Sequence, residues 1–479
     1  MKKLLAIFLA IILLISMISC KKPDVPSGGG PAGDITPTPD GSGDNGNSDV
    51  SASLSTVNGV NLSSYVIIYD ADGPDYNKRA AEYIAKKVKE RTGVDLTVTT
   101  DDSAVQENEI VVGETSRDIS EKLEADTEPL EFAILADGGD VALEADYFVI
   151  AAAAYFFIET YVPKNDYNAE VPTEISVHAP IVREAKNFIM LIGDGMGENH
   201  TLLFDHLEDT TDYSDGESMF YGYMLPAKGY SKTNSLTGVT DSAAGGTALS
   251  CGYKTENGYL GRLPDGTDLT SLTELAASLG MGTAVLSTES QTGATPASFS
   301  SHANNRSDSD DIRGDQLALT QEFGTQIVCG FDYYTDRYMN NSIEKRVTDT
   351  LDAIDDCDAG LFLMYEEAHI DKHSHNNDME KTFMAVIRFN QVIARYMEFA
   401  FYHPDTFVLI TADHETGGLY ADAEGEAFTY HSEDHTGVDV PIFAYGMGSE
   451  LFDGKTMENT EIPKIIASLM GVSDFGNQG

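Results

Sequence analysis

From Asn187 onward the chain repeats one pattern: a short apolar run that stops on an acid or an imidazole. "NFIMLIGDGMG" halts at Gly193-Asp194, "GLFLMYEEAHID" passes through Glu366 to Asp371, and "DTFVLITADHETGG" ends on Asp413-His414. "GTAVLST" and "VDVPIFAYG" are further runs of strand length. A run that is apolar at every position predicts a strand buried on both faces. Such strands, with helical stretches between them, predict an α/β fold with a largely parallel sheet between helical layers. Ligands of these sheets bind beyond the carboxyl ends of the strands. Asp194, Glu366, Asp413 and His414 are expected there.

The same residue types suit metal ions. Asp371 and His375 are four apart, so one helical turn sets them on one face. Asp413 and His414 are adjacent at a strand end, and His431 and His435 in "HSEDHTGVDVP" precede another strand. Mixed imidazole and carboxylate donors suit zinc, whereas an all-oxygen set suits magnesium. Any one of these residues would be unremarked on an acidic chain; four clusters at strand ends predict a metal centre. His431 is read as a loop residue, and Glu367 and His369 as supporting or surface residues.

Charge narrows the partners. Asp and Glu number 78 against 30 Lys and Arg, a formal net charge of −48. Duplex binding needs a basic surface, so nucleic acid is excluded as an expected partner. An anionic substrate would be repelled unless bound cations reverse the field locally. "GVTDSAAGGTALSCGYKT" adds a serine, Ser242, between Asp241 and a run of small residues. Ser242 could cap a helix start or leave a hydroxyl bare at the floor of a site. The residues alone leave both readings open.

The first 20 residues, "MKKLLAIFLAIILLISMISC", read as an export signal ending in a lipidated cysteine, Cys20, which predicts anchoring on the outer side of a bacterial membrane. Residues 21–50 are rich in Pro, Gly, Ser and Asp and read as a flexible tether. Residues 51–183 carry a βαβ rhythm without a catalytic constellation. "YVIIYDA", "VDLTVTT" and "EIVVGET" are expected strands, "DYNKRAAEYIAKKVKERTG" a helix closing on Gly93, and "DYFVIAAAAYFFIETYV" a strand running into a helix. This small accessory domain is expected to be separate and removable without loss of turnover. Cys251, Cys329 and Cys357 read as small core residues, with one disulfide left open.

"NFIMLIGDGMG", "VTDSAAGGTALSCGYKT", "ATPASFSSHANNR", "EEAHIDKHSH", "TADHE" and "HTGVDVPIFAYG" stand in the order found in alkaline phosphatases, and residues 184–479 resemble that family. The resemblance implies an alkaline-phosphatase-like core, with hydrolysis of small phosphate monoesters through a phosphoserine at Ser242. It implies one zinc held by Asp371, His375 and His435, and a second held by Asp194, Asp413 and His414 with Ser242. It implies a magnesium shared by Asp194, Thr295 and Glu366, and a phosphate clamp made by Arg306 and oriented by Asp241. The alternatives are a phosphodiesterase of the same superfamily and a non-catalytic surface-binding lipoprotein. Two departures bear on magnesium: Gly293 stands where relatives tend to carry Asp or His, and Lys372 lacks its usual acidic neighbour. Only twenty residues separate His414 from His435. Some relatives insert a larger crown-like segment there, so a homodimer is left open and their dimer contacts are not carried over.

Overall fold

The computed structural model describes residues 56–476, apart from 124–128, 163–167, 170, 172–173, 180–183, 208–218, 331–341, 356 and 423–426. The expected signal segment and tether, residues 1–20 and 21–50, lie outside the described residues. Among those described, no helix is long and apolar enough to cross a membrane.

Two sheets organise the chain. The first has six strands: β1 (Val66–Tyr69), β2 (Thr97–Thr100), β3 (Glu109–Val112), β4 (Glu131–Asp137), β5 (Asp140–Ala145) and β6 (Glu174–His178), in the order β2-β1-β3-β5-β4-β6. Helix α1 (Asp75–Thr92) closes on Gly93 in the left-handed conformation, as "ERTG" predicts. The strand expected at "DYFV" is instead a 3-10 turn, Tyr147–Val149, leading into α2 (Ile150–Tyr161). Tyr147 sits at φ 51°, which breaks extended backbone at that point.

The central sheet has eight strands: β7 (Asn187–Gly193), β8 (Ala227–Lys232), β9 (Gly282–Ser287), β10 (Gln326–Cys329), β11 (Leu361–Glu367), β12 (Thr406–Thr411), β13 (Val440–Tyr445) and β14 (Thr456–Glu458). Their order is β10-β9-β11-β7-β12-β13-β8-β14. All neighbours are parallel except at β13, which runs against both β12 and β8. The apolar runs behave as their composition requires. Along β7, Ile189 and Leu191 join one core cluster while Phe188, Met190 and Ile192 join another on the opposite face.

Three further helices place the site: α3 (Ser242–Cys251), α4 (Ala294–Ser298) and α5 (His369–Ser374). A long helix, α6 (Met379–Tyr402), is buried on nearly every side. It lies between the central sheet and the N-terminal unit. Tyr83 of α1 stacks on Tyr402 at 4.0 Å, Phe148 lies 5.9 Å from Phe401, and Arg79 pairs with the buried Glu398. A single apolar cluster runs from Ile84 and Phe157 through Tyr396 to Leu191 and Ile410. The N-terminal unit has its own sheet, as expected, but its packing is not separate, because α6 presents apolar side chains to both units.

Candidate active site

The catalytic letters converge at the carboxyl ends of the central strands. Asp194 follows β7, Glu366 lies near the end of β11, Asp413 and His414 follow β12, and Ser242 opens α3. Gly195 makes the turn after Asp194 possible. Its φ is 75°, and a Cβ there would stand 2.8 Å from the Cα of Asp371. His435 is delivered by a two-residue ladder that pairs it with Thr416.

Ser242 is not the cap of its helix. Asp241 takes that place, accepting a hydrogen bond from the Ala244 amide at 3.0 Å, and Ser242 is the first helical residue. The hydroxyl is thereby turned toward the cluster, with Oγ 3.2 Å from His414 Nε2. Asp241 also lies 3.3 Å from Arg306 Nη1, joining the expected pair.

Three imidazoles aim the same nitrogen inward. Nδ1 of His435 faces the Thr240 carbonyl at 2.8 Å, and Nδ1 of His375 faces the Glu433 carbonyl. A carbonyl can only accept, so each Nδ1 carries a proton, and in the neutral ring Nε2 is then a lone pair; burial opposes protonation of His435, but Asp371 raises it above the ordinary imidazole value. Thr416 donates its hydroxyl to Asp371 and accepts from His414 Nδ1 at 3.2 Å, which leaves His414 in the same state. The bare Nε2 atoms of His375 and His435 are 3.1 Å apart and lie 3.3 and 3.4 Å from Asp371 Oδ1. His414 Nε2 lies 3.3 Å from Asp413 Oδ2 and 3.5 Å from Asp194 Oδ1.

Lone pair facing lone pair is unfavourable unless a proton or a metal cation lies between. The oxygens repeat the point. Asp194 Oδ1, Asp413 Oδ2, Glu366 Oε1 and Thr295 Oγ1 are buried without a hydrogen-bond partner among the described residues. Burial, then Asp413 and Asp371, raises the Asp194 carboxyl well above its usual range. Burial and Glu289 push Glu366 up to about 8, and burial and Asp371 push Asp413 up to about 6. Burial also favours the neutral form of Asp371, yet His435, His414 and Thr416 hold its carboxyl below the ordinary range. Burial and His435 hold His414 well below its usual value, keeping it neutral.

Two groups of donors therefore fit divalent ions: Asp371, His375 and His435, and Asp194, Asp371 and His414. The second differs from expectation in drawing in Asp371, with Asp413 set against His414. The resemblance did not point to Thr416, although it lies two residues after His414 in "DHETGG". Nor did it point to Glu289, whose Oε2 pairs with Lys372 Nζ at 2.7 Å and so restores the acidic neighbour that Lys372 was expected to lack. Glu367 is no surface residue: it is fully buried and takes hydrogen bonds from Thr288 and His369. His431 stacks edge-on against Tyr420 at 5.7 Å and belongs to neither donor group.

A family model described as alkaline phosphatase matches residues 185–331, 329–430 and 422–472. This chain belongs to the alkaline phosphatase family. It is 28% identical over 331 residues to alkaline phosphatase 3 of Bacillus subtilis, covering 58% of this chain and 70% of that protein. It is 30% identical over 307 residues to the alkaline phosphatase of Schizosaccharomyces pombe, covering 49% and 56%. The solved alkaline phosphatase of the Antarctic bacterium TAB5 superposes with TM-score 0.53 at 27% identity, over 60% of this chain and 99% of that one. A structure of its variant with one histidine replaced by glutamate, at 26% identity and TM-score 0.52, has magnesium in the site designated M3. The chain is an alkaline phosphatase, a phosphomonoesterase, which sets aside the diesterase and non-catalytic alternatives. The family match begins at residue 185 and leaves the N-terminal sheet outside it.

Proposed function

We propose that this alkaline phosphatase cleaves phosphate monoesters with Ser242 as its nucleophile, in a site holding two zinc ions and one magnesium ion. The observation that carries this is the convergence of bare imidazole nitrogens on carboxylate oxygens, with the Ser242 hydroxyl 3.2 Å from one of them. Asp371, His375 and His435 would hold one zinc. Asp194, Asp413 and His414, with Ser242, would hold the other. Asp194, Thr295 and Glu366 offer only oxygens, two of them from carboxylates, and suit magnesium. The magnesium reported in the third site of the TAB5 variant supports that choice. When bound, the ions neutralise phosphate oxygens and lower the pKa of hydroxyls beside them.

The protein's own groups do the rest. Ser242 Oγ forms a bond to phosphorus as the ester oxygen leaves, releasing the alcohol and giving phosphoserine. Water then attacks that phosphorus, the Ser242 oxygen departs and takes up a proton given up by the water, and orthophosphate is released with the serine hydroxyl restored. The N-terminal end of α3, where Ser242 sits, carries partial positive charge toward an anion. Arg306 spans two phosphate oxygens while Asp241 holds its guanidinium.

The chain is further proposed to be exported and held on the outer side of a bacterial membrane through Cys20, a reading supported by the apolar run before that cysteine. Activity on an aryl phosphate at alkaline pH, with and without chelator, tests the site. Turnover should vanish on chelation and return with zinc; full activity after exhaustive zinc removal would contradict the proposal. A parallel assay on the methyl diester of the same phosphate should give far slower turnover.

A further inference from the structure

The magnesium pocket has a gap in its sequence and a side chain that fills it from elsewhere. Gly293 caps α4 at φ −59°, an ordinary value, so backbone strain does not require glycine there. What a side chain there would meet is Glu289. A Cβ built on Gly293 would overlap the Glu289 carboxylate. The loop after β9 produces this overlap. Ser287 Oγ accepts the Glu289 amide at 2.9 Å and donates to Glu366 Oε2, while the Gly293 amide donates to the Ser290 carbonyl at 2.8 Å. The chain thus curls back on itself, and the carboxylate of Glu289 comes to lie where a side chain at 293 would begin. Glu289 Oε2 takes the Lys372 ammonium at 2.7 Å, and Lys372 directly follows Asp371.

We infer that Glu289 replaces the side chain absent at Gly293, completing the magnesium pocket with a carboxylate and tethering Lys372 at its edge. The inference rests on the assignment of magnesium to Asp194, Thr295 and Glu366. Those three residues each leave one buried oxygen without a partner, fewer than the six oxygens magnesium prefers. A nearby carboxylate adds the charge and the acceptor needed to orient a ligand or water beside them. Glu289 is tied to this place through Ser287, whose Oγ accepts the Glu289 amide and donates to Glu366.

Magnesium titration of the zinc-loaded full chain, read by calorimetry together with zinc and magnesium content, tests the inference without relying on turnover. Glu289→Gln should weaken magnesium binding by about 10- to 100-fold, the range of outer-shell partners, with zinc content unchanged. Glu289→Ala removes the obstruction at Gly293, so the double variant Glu289→Ala, Gly293→Asp should restore tight magnesium binding from the new position. Wild-type affinity in Glu289→Gln would overturn the role of Glu289 and leave the magnesium assignment standing. A zinc-loaded, folded double variant that fails to regain magnesium would also overturn it. Wild-type protein that binds no magnesium would overturn the assignment and this inference together.

Discussion

The chemistry of the site is carried by single atoms whose partners were forced by their neighbours. Ser242 is placed by Asp241, which caps the helix and holds Arg306, so one acid serves two duties. Ser242→Ala should keep the fold and lower kcat by at least about a thousandfold, as nucleophile removal does elsewhere; initial rates on an aryl phosphate give the number. Arg306→Ala should reduce kcat/KM about 100-fold, and Arg306→Lys should recover only part, because an ammonium cannot bridge two phosphate oxygens. Most of these residues were legible because acids and imidazoles cluster at the ends of apolar runs. Asp413 and His414 announce themselves in "TADHE". Glu289 and Thr416 do not. Their roles depend on how a loop curls and on a two-residue ladder, and neither leaves a periodic trace.

At the scale of elements, buried strands were easy to read and their neighbours were not. β7, β11 and β12 are buried at every position and largely apolar because both of their faces are covered. β13 looks the same in sequence yet runs antiparallel, since burial alone does not encode direction. The segment "DYFV" has strand-like residues, but it opens a helix that must lie against α6, and packing overrides propensity there. The contact of α1 with α6 has a polar anchor: Glu398 is 2% exposed and binds both Arg79 and Arg395. Arg79→Ala leaves that carboxylate with Arg395 alone and should cost about 2 kcal/mol of stability in denaturant unfolding. Turnover by the folded variant should not change, since this contact lies away from Ser242 in the packing between the two units.

For the whole molecule, the shared core replaces the expectation of a removable accessory domain. Deleting residues 51–183 would strip α6 of Tyr83 from α1, of Phe148 and of α2, exposing an apolar face. The truncated chain is expected to lose soluble expression or melt well below the full chain, as followed by thermal unfolding. The balance of charge adds a pH dependence. In the metal-free chain Glu366 is raised from 4.5 to about 8 and Asp413 from 3.8 to about 6, chiefly by burial. Both bind a proton more tightly folded than unfolded, so their contribution is full below about pH 4 and is lost as pH rises toward about 8. Divalent ions replace those protons. The gap between the melting temperatures of metal-loaded and chelated protein should therefore widen from about pH 5 to about pH 8.

The account depends most on a covalent phosphate at one hydroxyl. The direct measurement is the mass of the peptide containing Ser242, after metal-loaded full chain is incubated with inorganic phosphate at mildly acidic pH and quenched in acid. A single added phosphoryl group on Ser242 is the predicted result. An active, zinc-loaded protein that carries no phosphate there, or carries it on another residue, would contradict the account.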